Sequence, residues 1–143
     1  MPALNRLFGY NLKRVYMLVR ADFRDQIGDN SLSTRTFSAL CLVVNNPGIT
    51  QSELARRLGI ERSGLVAMVD ELQRLGYVER KQVPTDRRVQ ALQPTRSGKQ
   101  AAEIAFANVA RGEENVLSAL TAEEQSQLRH LLEKIRASRE SDE

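Results

Sequence analysis

The side chains best suited to binding chemistry lie between residues 50 and 95, where a segment of short side chains is followed by a cluster of basic residues. Lys81, Arg87 and Arg88 concentrate positive charge in one short segment, and Arg62 precedes a run of small side chains. Guanidinium groups donate paired hydrogen bonds to phosphate and guanine oxygens, and a helix with small side chains can approach base edges closely. The chemistry that this pattern predicts is recognition of duplex DNA, without making or breaking bonds.

Two helix patterns, separated by a tight turn, would position these side chains. Thr50 and Glu53 have the spacing of a reciprocal capping box at the start of the first helix. Leu54 and Leu58 share one face of that helix, and Gly59 stands where a left-handed C-cap is favoured. A second helix follows a short connector. This is the order of a helix-turn-helix, whose second helix enters the major groove.

The second helix has one apolar face and one face of short side chains. Its apolar positions recur at three- and four-residue steps and should face the core: Leu65, Met68, Val69, Leu72 and Leu75. The residues expected to read bases lie on the other side: Arg62, Ser63, Gly64 and Ala67. We expect Gln51 of the first helix to contact a phosphate. An ordinary amphipathic helix hairpin with a solvated polar face is the alternative.

A β-hairpin pattern follows and favours the DNA-binding interpretation. Gly76 ends the second helix, residues 77–81 and 89–93 have strand character, and residues 83–86 have turn chemistry. A helix-turn-helix followed by such a hairpin is a winged helix.

The basic residues of the hairpin have distinct expected roles. Lys81 should contact a phosphate, and Arg88 or Arg87 should enter the minor groove, where narrow A·T-rich tracts concentrate negative potential. Asp86 would orient Arg88. The alternative is a solvated hairpin whose arginines have no specific role.

These motifs resemble the MarR family of winged helix-turn-helix transcriptional regulators. The resemblance rests on ITQSELARRLGI, on VDELQRLGYVER, and on Asp86-x-Arg88 with Thr95 seven residues later. It extends over nearly the whole chain and is specific over residues 47–98. Two positions depart from the family pattern: Pro94 precedes Thr95 where leucine is usual, and Glu61 stands at a helix N-cap where Ser, Thr or Asp is usual.

The resemblance implies a mainly α fold with a small β-wing and six helices in a single domain, residues 1–143. The winged helix-turn-helix would span residues 34–95, and residues 1–30 and 96–137 would form dimerisation helices. Such a homodimer places two reading helices ~34 Å apart, on a pseudo-palindromic operator. The sequence predicts a helix at 34–45 and a loop at 28–31.

The flanking helix patterns agree with a dimer. From Leu4 to Ile27 apolar residues follow helical spacing and cover more than one side, so more than one side must be buried. A long helix follows Thr95, and Thr121 and Glu124 form a second capping box before a last helix.

The resemblance also implies a small aromatic or acyl effector that releases a repressor from DNA. The residues expected to line its cleft, between the dimer helices and the winged helix, are Tyr10, Arg14, Tyr16, Met17, Arg20 and Phe37. An arginine could pair with a carboxylate and a tyrosine could stack on a ring. The alternative is that the aromatic residues pack a core and the arginines face water.

Other functions have weaker support in the sequence. A thiol-based oxidant sensor would need Cys41 as an accessible thiolate, but this single cysteine lies between two leucines. A winged-helix module that binds another protein is the remaining alternative. His130 is the only histidine, and no phosphate-binding glycine loop or metal-ligand cluster is present, so we expect no enzyme activity, metal or cofactor.

Charge is uneven along the chain and agrees with DNA binding. The net charge is +3 over residues 1–49, +4 over 50–100 and −4 over 101–143. Positive charge therefore coincides with the DNA-reading motifs. The sequence has no long apolar run, signal peptide or lipidation motif, so we expect a cytoplasmic protein that does not bind membranes.

Overall fold

A computed structural model describes residues 3–27 and 32–140, excepting the side chains of 24–27. Within those residues the fold is mainly helical, as predicted, with six α-helices and one three-stranded sheet. In chain order the elements are a 3₁₀ turn (Leu4–Arg6), α1 (Phe8–Ile27), α2 (Thr34–Asn45), β1 (Ile49–Thr50), α3 (Gln51–Leu58), α4 (Arg62–Arg74), β2 (Val78–Val83), β3 (Asp86–Pro94), α5 (Arg96–Leu117) and α6 (Ala122–Glu140). The loop predicted at residues 28–31 lies outside the described residues.

The predicted helix ends are confirmed where local capping sets them. α2 has the predicted bounds, 34–45. At α6 the Glu124 N–H donates to Thr121 Oγ1 at 3.2 Å, and the Thr121 N–H donates to the Glu124 carboxylate at 2.9 Å. α3 ends at Gly59, whose φ of 63° is the left-handed conformation that glycine adopts without strain.

Two sequence predictions about the helices are wrong in part. The N-terminal helix does not run unbroken from Leu4, because Leu7 is extended between the 3₁₀ turn and α1. The Asn11 amide donates to the Asn5 and Leu7 carbonyls, at 2.6 and 2.9 Å, and so stabilises this break. At α3 only half of the capping box forms: Thr50 Oγ1 accepts from the Glu53 N–H, while arginines take the Glu53 carboxylate.

The strands are antiparallel in the order β1-β3-β2, and the β2–β3 hairpin is the wing. Both wing strands are longer than predicted, since β2 continues to Val83 and β3 already begins at Asp86, with a pairing irregularity between Gln82 and Val83. The sequence did not predict β1, a two-residue strand that pairs Ile49 with Leu92. β1 joins the start of α3 to the base of the wing.

The core lies between α2, α3, α4, the base of the wing and the start of α5. Its fully buried side chains are Leu40, Val43, Leu54, Leu65, Val69, Leu72, Val78 and Leu92. Leu75, predicted to face the core, is only half-buried at its margin. α1 packs along α5, whereas α6 buries none of its residues.

Candidate nucleic-acid interface

Helix α4 presents the short side chains that were predicted to read bases. Arg62, Ser63 and Ala67 are exposed, whereas Gly64 is half-buried. A methyl group on Gly64 would stand 3.9 Å from the Arg35 guanidinium of α2, so this glycine faces partly inward. Glu61 is the N-cap, as expected, but its side chain makes no capping hydrogen bond. The first turn of α4 therefore keeps backbone N–H groups available for a phosphate.

The wing holds one arginine far out from the body of the protein. The Asp86 carboxylate accepts from the Arg88 backbone N–H at 3.0 Å and from Arg88 Nε at 3.3 Å. The Arg88 side chain is 91% exposed in spite of this ion pair. The predicted contact between Asp86 and Arg88 is thus present, and it holds the guanidinium through Nε while the side chain remains exposed. Arg87 and Lys81 are also exposed on the wing.

Gln51 is already engaged within the protein. It is the first residue of α3, half-buried, and its side-chain oxygen accepts from Arg80 Nε at 2.9 Å. Arg80, on β2, also donates to Gln73 at 2.6 Å and to Asp70 at 2.6 Å. Arg80 was not predictable from the sequence, because its three partners lie 7 to 29 residues away and only the tertiary fold brings them together.

The wing and α5 meet in a close backbone contact at residues 76–98. Thr95 donates its backbone N–H to the Tyr77 carbonyl at 3.0 Å and its hydroxyl to the Gly76 carbonyl at 2.6 Å. Ser97 donates to the same Gly76 carbonyl at 2.9 Å, and the Gly98 N–H donates to Thr95 Oγ1 at 3.0 Å. Pro94 has no backbone N–H to donate, and the N–H of the next residue, Thr95, makes the hydrogen bond to the Tyr77 carbonyl. The sequence predicted a helix after Thr95 and a departure from the family pattern at Pro94, but not these hydrogen bonds, which we call the α5 joint.

Helix α3 carries an exposed ion-pair cluster. Arg56 and Arg57 both donate to the Glu53 carboxylate, at 2.9 to 3.0 Å. Their hydrogen bonds, Arg56 first and Arg57 second, lower the pKa of Glu53 from 4.5 to about 2. The carboxylate therefore stays ionised in the folded protein and partly offsets the positive charge of this surface.

This pKa shift predicts a pH dependence of stability. Because the folded-state pKa of Glu53 lies below its usual value, the cluster stabilises the fold above pH 4.5, and the contribution disappears as the pH falls towards 2. We expect the unfolding free energy of Glu53→Gln, from urea titrations across this window, to change less with pH than that of the wild type. Glu113→Gln, an exposed α5 change, is the control. Equal pH slopes for wild type and Glu53→Gln would refute the assignment.

The six predicted ligand residues do not line one cavity of the single chain. Tyr16 and Arg20 line a cavity of about 440 Å³ between α1, the start of α2 and the α3–α4 turn. The Arg20 guanidinium lies 6.0 Å from the centre of the Tyr16 ring. Arg14 and Met17 line a different groove on α1, with Val15 and Leu18. A single cleft that takes in all of these residues therefore stays a prediction, since the cavity at Tyr16 and Arg20 does not include Arg14 and Met17 within one chain.

The remaining two candidates also stand apart from this cavity. Phe37 packs against Phe23 of α1 with ring centres 5.6 Å apart, which is the core-packing alternative. Tyr10 is 37% exposed near the start of α1. The cavity instead takes in residues that were not predicted as ligand contacts: Ser33, Thr34, Arg35, Ser38, Leu58, Ile60 and Met68.

Comparison with known proteins identifies the family. A model of the MarR family matches residues 31–89. A transcriptional regulatory protein assigned to the hcr operon of Thauera aromatica is 30% identical over 128 residues, which cover 89% of this chain and 77% of that protein. The chain belongs to the MarR family. Its members are DNA-binding transcriptional regulators rather than enzymes.

Solved MarR-family structures match the whole fold. The transcriptional repressor CouR, solved bound to a 23-mer DNA duplex, is 36% identical, with a TM-score of 0.85 and coverage of 93% of this chain and 94% of that chain. A MarR-family regulator from Rhodococcus sp. RHA1 has a TM-score of 0.88 at 27% identity, covering 94% and 96%. The winged helix-turn-helix fold predicted from the sequence is thus confirmed.

Other features of this MarR-family chain bear on the alternatives. Cys41 is half-buried, and burial raises the pKa of its thiol, which lowers the thiolate fraction that oxidant sensing requires. Within residues 3–27 and 32–140, no group of three His, Cys, Asp or Glu side chains could hold a metal ion. No helix in that described part is long and apolar enough to cross a membrane.

Proposed function

We propose that this MarR-family regulator is a homodimeric repressor that binds a pseudo-palindromic operator and is released by a small aromatic or acyl anion. The observation that carries the proposal is that α4 exposes a face of short side chains while Arg88 extends from the wing. The same fold, at 36% identity, belongs to a repressor solved on duplex DNA. A protein that works on chromosomal DNA would act beside the chromosome, in agreement with the expected cytoplasmic location.

The exposed apolar residues of the outer helices support a dimer. Leu4, Leu7 and Phe8 at the N-terminus are each at least 58% exposed, and Leu131 and Ile135 of α6 are 45% and 51% exposed. Monomeric proteins rarely leave so many large apolar side chains in water. A second copy of the chain, packed through α1 and α6, would cover them and fix the distance between the two α4 helices.

The Arg20 cavity suits an anionic effector. Arg20 and Arg35 supply positive charge, and Ser33 and Thr34 stand at the N-terminus of α2, where the helix dipole favours an anion. Ser38 lines the cavity one turn further along α2. Leu58, Ile60 and Met68 provide an apolar wall for a ring or acyl chain. Since Ile60 lies in the turn before α4 and Met68 within α4, an effector here would contact the reading helix itself.

The proposal is tested by selecting bound sequences from random duplex DNA. We expect the selected sites to contain two inverted half-sites, separated centre to centre by about one helical turn, and an affinity that falls steeply with salt. A protein-binding module would select no sequence and show no such salt dependence. Selection of a single, unpaired half-site would refute the dimeric part of the proposal.

The effector site makes a prediction for Arg20→Met. The variant should bind operator as the wild type does but no longer release it when aromatic and aliphatic carboxylates are added, because the ligand loses its charged partner. Fluorescence anisotropy of labelled operator measures both properties. Lys13→Met removes the same charge elsewhere on α1 and should respond normally, as should Cys41→Ser. A normal response of Arg20→Met, or a lost response of Cys41→Ser, would place the sensing chemistry elsewhere.

A further inference from the structure

One guanidinium ties together three parts of the DNA-binding surface. Arg80 of β2 donates from Nε to Gln51 at the start of α3, from Nη1 to Gln73 of α4, and from Nη2 to Asp70 of α4. The side chain of Arg80 is only 22% exposed, although its partners Asp70 and Gln73 lie on the exposed surface of α4. We call these four residues the Arg80 cluster.

The chemistry of arginine fixes how the two glutamines are oriented. A guanidinium has five N–H donors and no acceptor, so it can bind a glutamine side chain only through the carbonyl oxygen. Both oxygens therefore face Arg80, and both amide NH₂ groups are turned away from it. Among the described residues, no acceptor takes either NH₂ group. Gln51 and Gln73 thus present donors alone to whatever lies outside the cluster.

Arg80 also neutralises a carboxylate on the reading helix. The Asp70 side chain is 61% exposed and lies one turn after Ala67, on the face of α4 expected to lie against DNA. An unpaired carboxylate there would repel phosphates, whereas the pair with Arg80 at 2.6 Å cancels its charge. Removal of Arg80 would expose this negative charge and free the glutamine side chains to rotate.

We propose that Arg80 is a positioning residue for operator binding: it orients the Gln51 and Gln73 amides towards DNA phosphates and masks Asp70, without touching DNA itself. The inference rests on the proposed DNA-binding role of α4 and the wing. Phosphate contacts from neutral amides set the orientation of a protein on the duplex without adding charge. Arg80 would thereby fix α3, α4 and the wing in the one arrangement that contacts both grooves.

A double-mutant cycle tests this role. Arg80→Met should weaken binding to the selected operator roughly tenfold or more, while Gln51→Ala weakens wild type but has little further effect in the Arg80→Met background. Asp70→Asn should restore part of the affinity of Arg80→Met. Arg80→Lys keeps the charge but lacks the planar fork, so it should still bind more weakly than wild type. Urea unfolding checks that each variant is folded.

Arg74→Met is the matched control. Arg74 is a second arginine of this surface, paired at 2.6 Å with one carboxylate, Glu71. Its loss, like that of Arg80, removes one positive charge and leaves one carboxylate unpaired, but it releases no glutamine. In a contrary outcome, the losses of operator affinity caused by Arg80→Met and Gln51→Ala multiply, and Arg80→Met reduces the slope of log affinity against log salt concentration by about one. Arg80 would then contact a phosphate directly, and the inference would be overturned. Wild-type affinity of Arg80→Met would also overturn it. Failure of the wild type to bind duplex DNA would overturn the proposed function as well.

Discussion

Replacing Gly98 with alanine is expected to cost about 3 kcal/mol of unfolding free energy, a large effect for one methyl group. The added carbon would stand 2.0 Å from the Tyr77 carbonyl oxygen and 2.8 Å from the carbonyl carbon. These are backbone atoms, so no side-chain rotation relieves the clash. Either α5 or the start of β2 must move, which breaks the hydrogen bonds from Thr95 to Gly76 and Tyr77.

Gly64→Ala is the control for Gly98→Ala. Both glycines are the third residue of their helix, but a methyl group on Gly64 meets only the Arg35 guanidinium at an ordinary 3.9 Å. Alanine favours a helix over glycine by about 1 kcal/mol, so Gly64→Ala should be as stable as wild type or more so. Urea unfolding at matched protein concentration compares them. If Gly98→Ala had the same unfolding free energy as the wild type, the claim that only glycine fits against the Tyr77 backbone would be refuted.

Arg88→Ala is expected to weaken operator binding by about 1–3 kcal/mol, or five- to over a hundredfold, and to leave the dimer and its stability intact. The side chain is 91% exposed, and its one ion pair, with Asp86 at 3.3 Å, is of the surface kind that contributes little to folding. Its energetic role must therefore lie in what the wing contacts. Titration of labelled operator, with sedimentation velocity for the dimer, measures both properties.

Two variants make the Arg88 result specific. Arg111→Ala removes an exposed α5 arginine that, like Arg88, has one nearby partner, Asn108 at 2.8 Å, and it should bind operator almost normally. Asp86→Ala leaves the Arg88 charge in place but removes its anchor, so its loss of affinity should be smaller than that of Arg88→Ala. Full operator affinity of Arg88→Ala would remove the wing from the DNA interface.

The α5 joint at Gly98 and the cavity at Arg20 together suggest how an effector changes the affinity for DNA. The cavity is lined by residues of α1 and by Met68 of α4, while Thr95 and Ser97 at the start of α5 are hydrogen-bonded to Gly76, just after α4. α4 thus faces α1 across the cavity, and the chain just after α4 is hydrogen-bonded to the start of α5. A ligand that shifts α1 against α4 would change the spacing of two such helices in a dimer, and operator affinity depends on that spacing.

Features set by neighbouring residues were predictable from the sequence. The caps at Thr50 and Thr121 were predictable because the groups that form them lie within three residues of each other. The two faces of α4 followed from helical periodicity, as the burial of Leu65 and Leu72 confirms. The contact between Asp86 and Arg88 was predictable for the same reason, since only one residue separates them.

Features that depend on distant contacts were not predictable. β1 is only two residues long and exists because Ile49 meets Leu92, more than forty positions away. Helical periodicity placed Arg14 and Arg20 on one helix but could not show which neighbours face each of them. Arg80 looked like one more basic residue of a strand, and only the fold shows that it binds three side chains at once.

A hydroxyl-radical footprint on the selected operator tests the central claim most directly. We predict two protected segments about one helical turn apart, each flanked by minor-groove protection that disappears in Arg88→Ala while the central protection remains. This pattern requires two α4 helices and two wings on one duplex. Protection of a single segment, or flanking protection that persists without Arg88, would contradict a dimer that reads DNA through α4 and the wing.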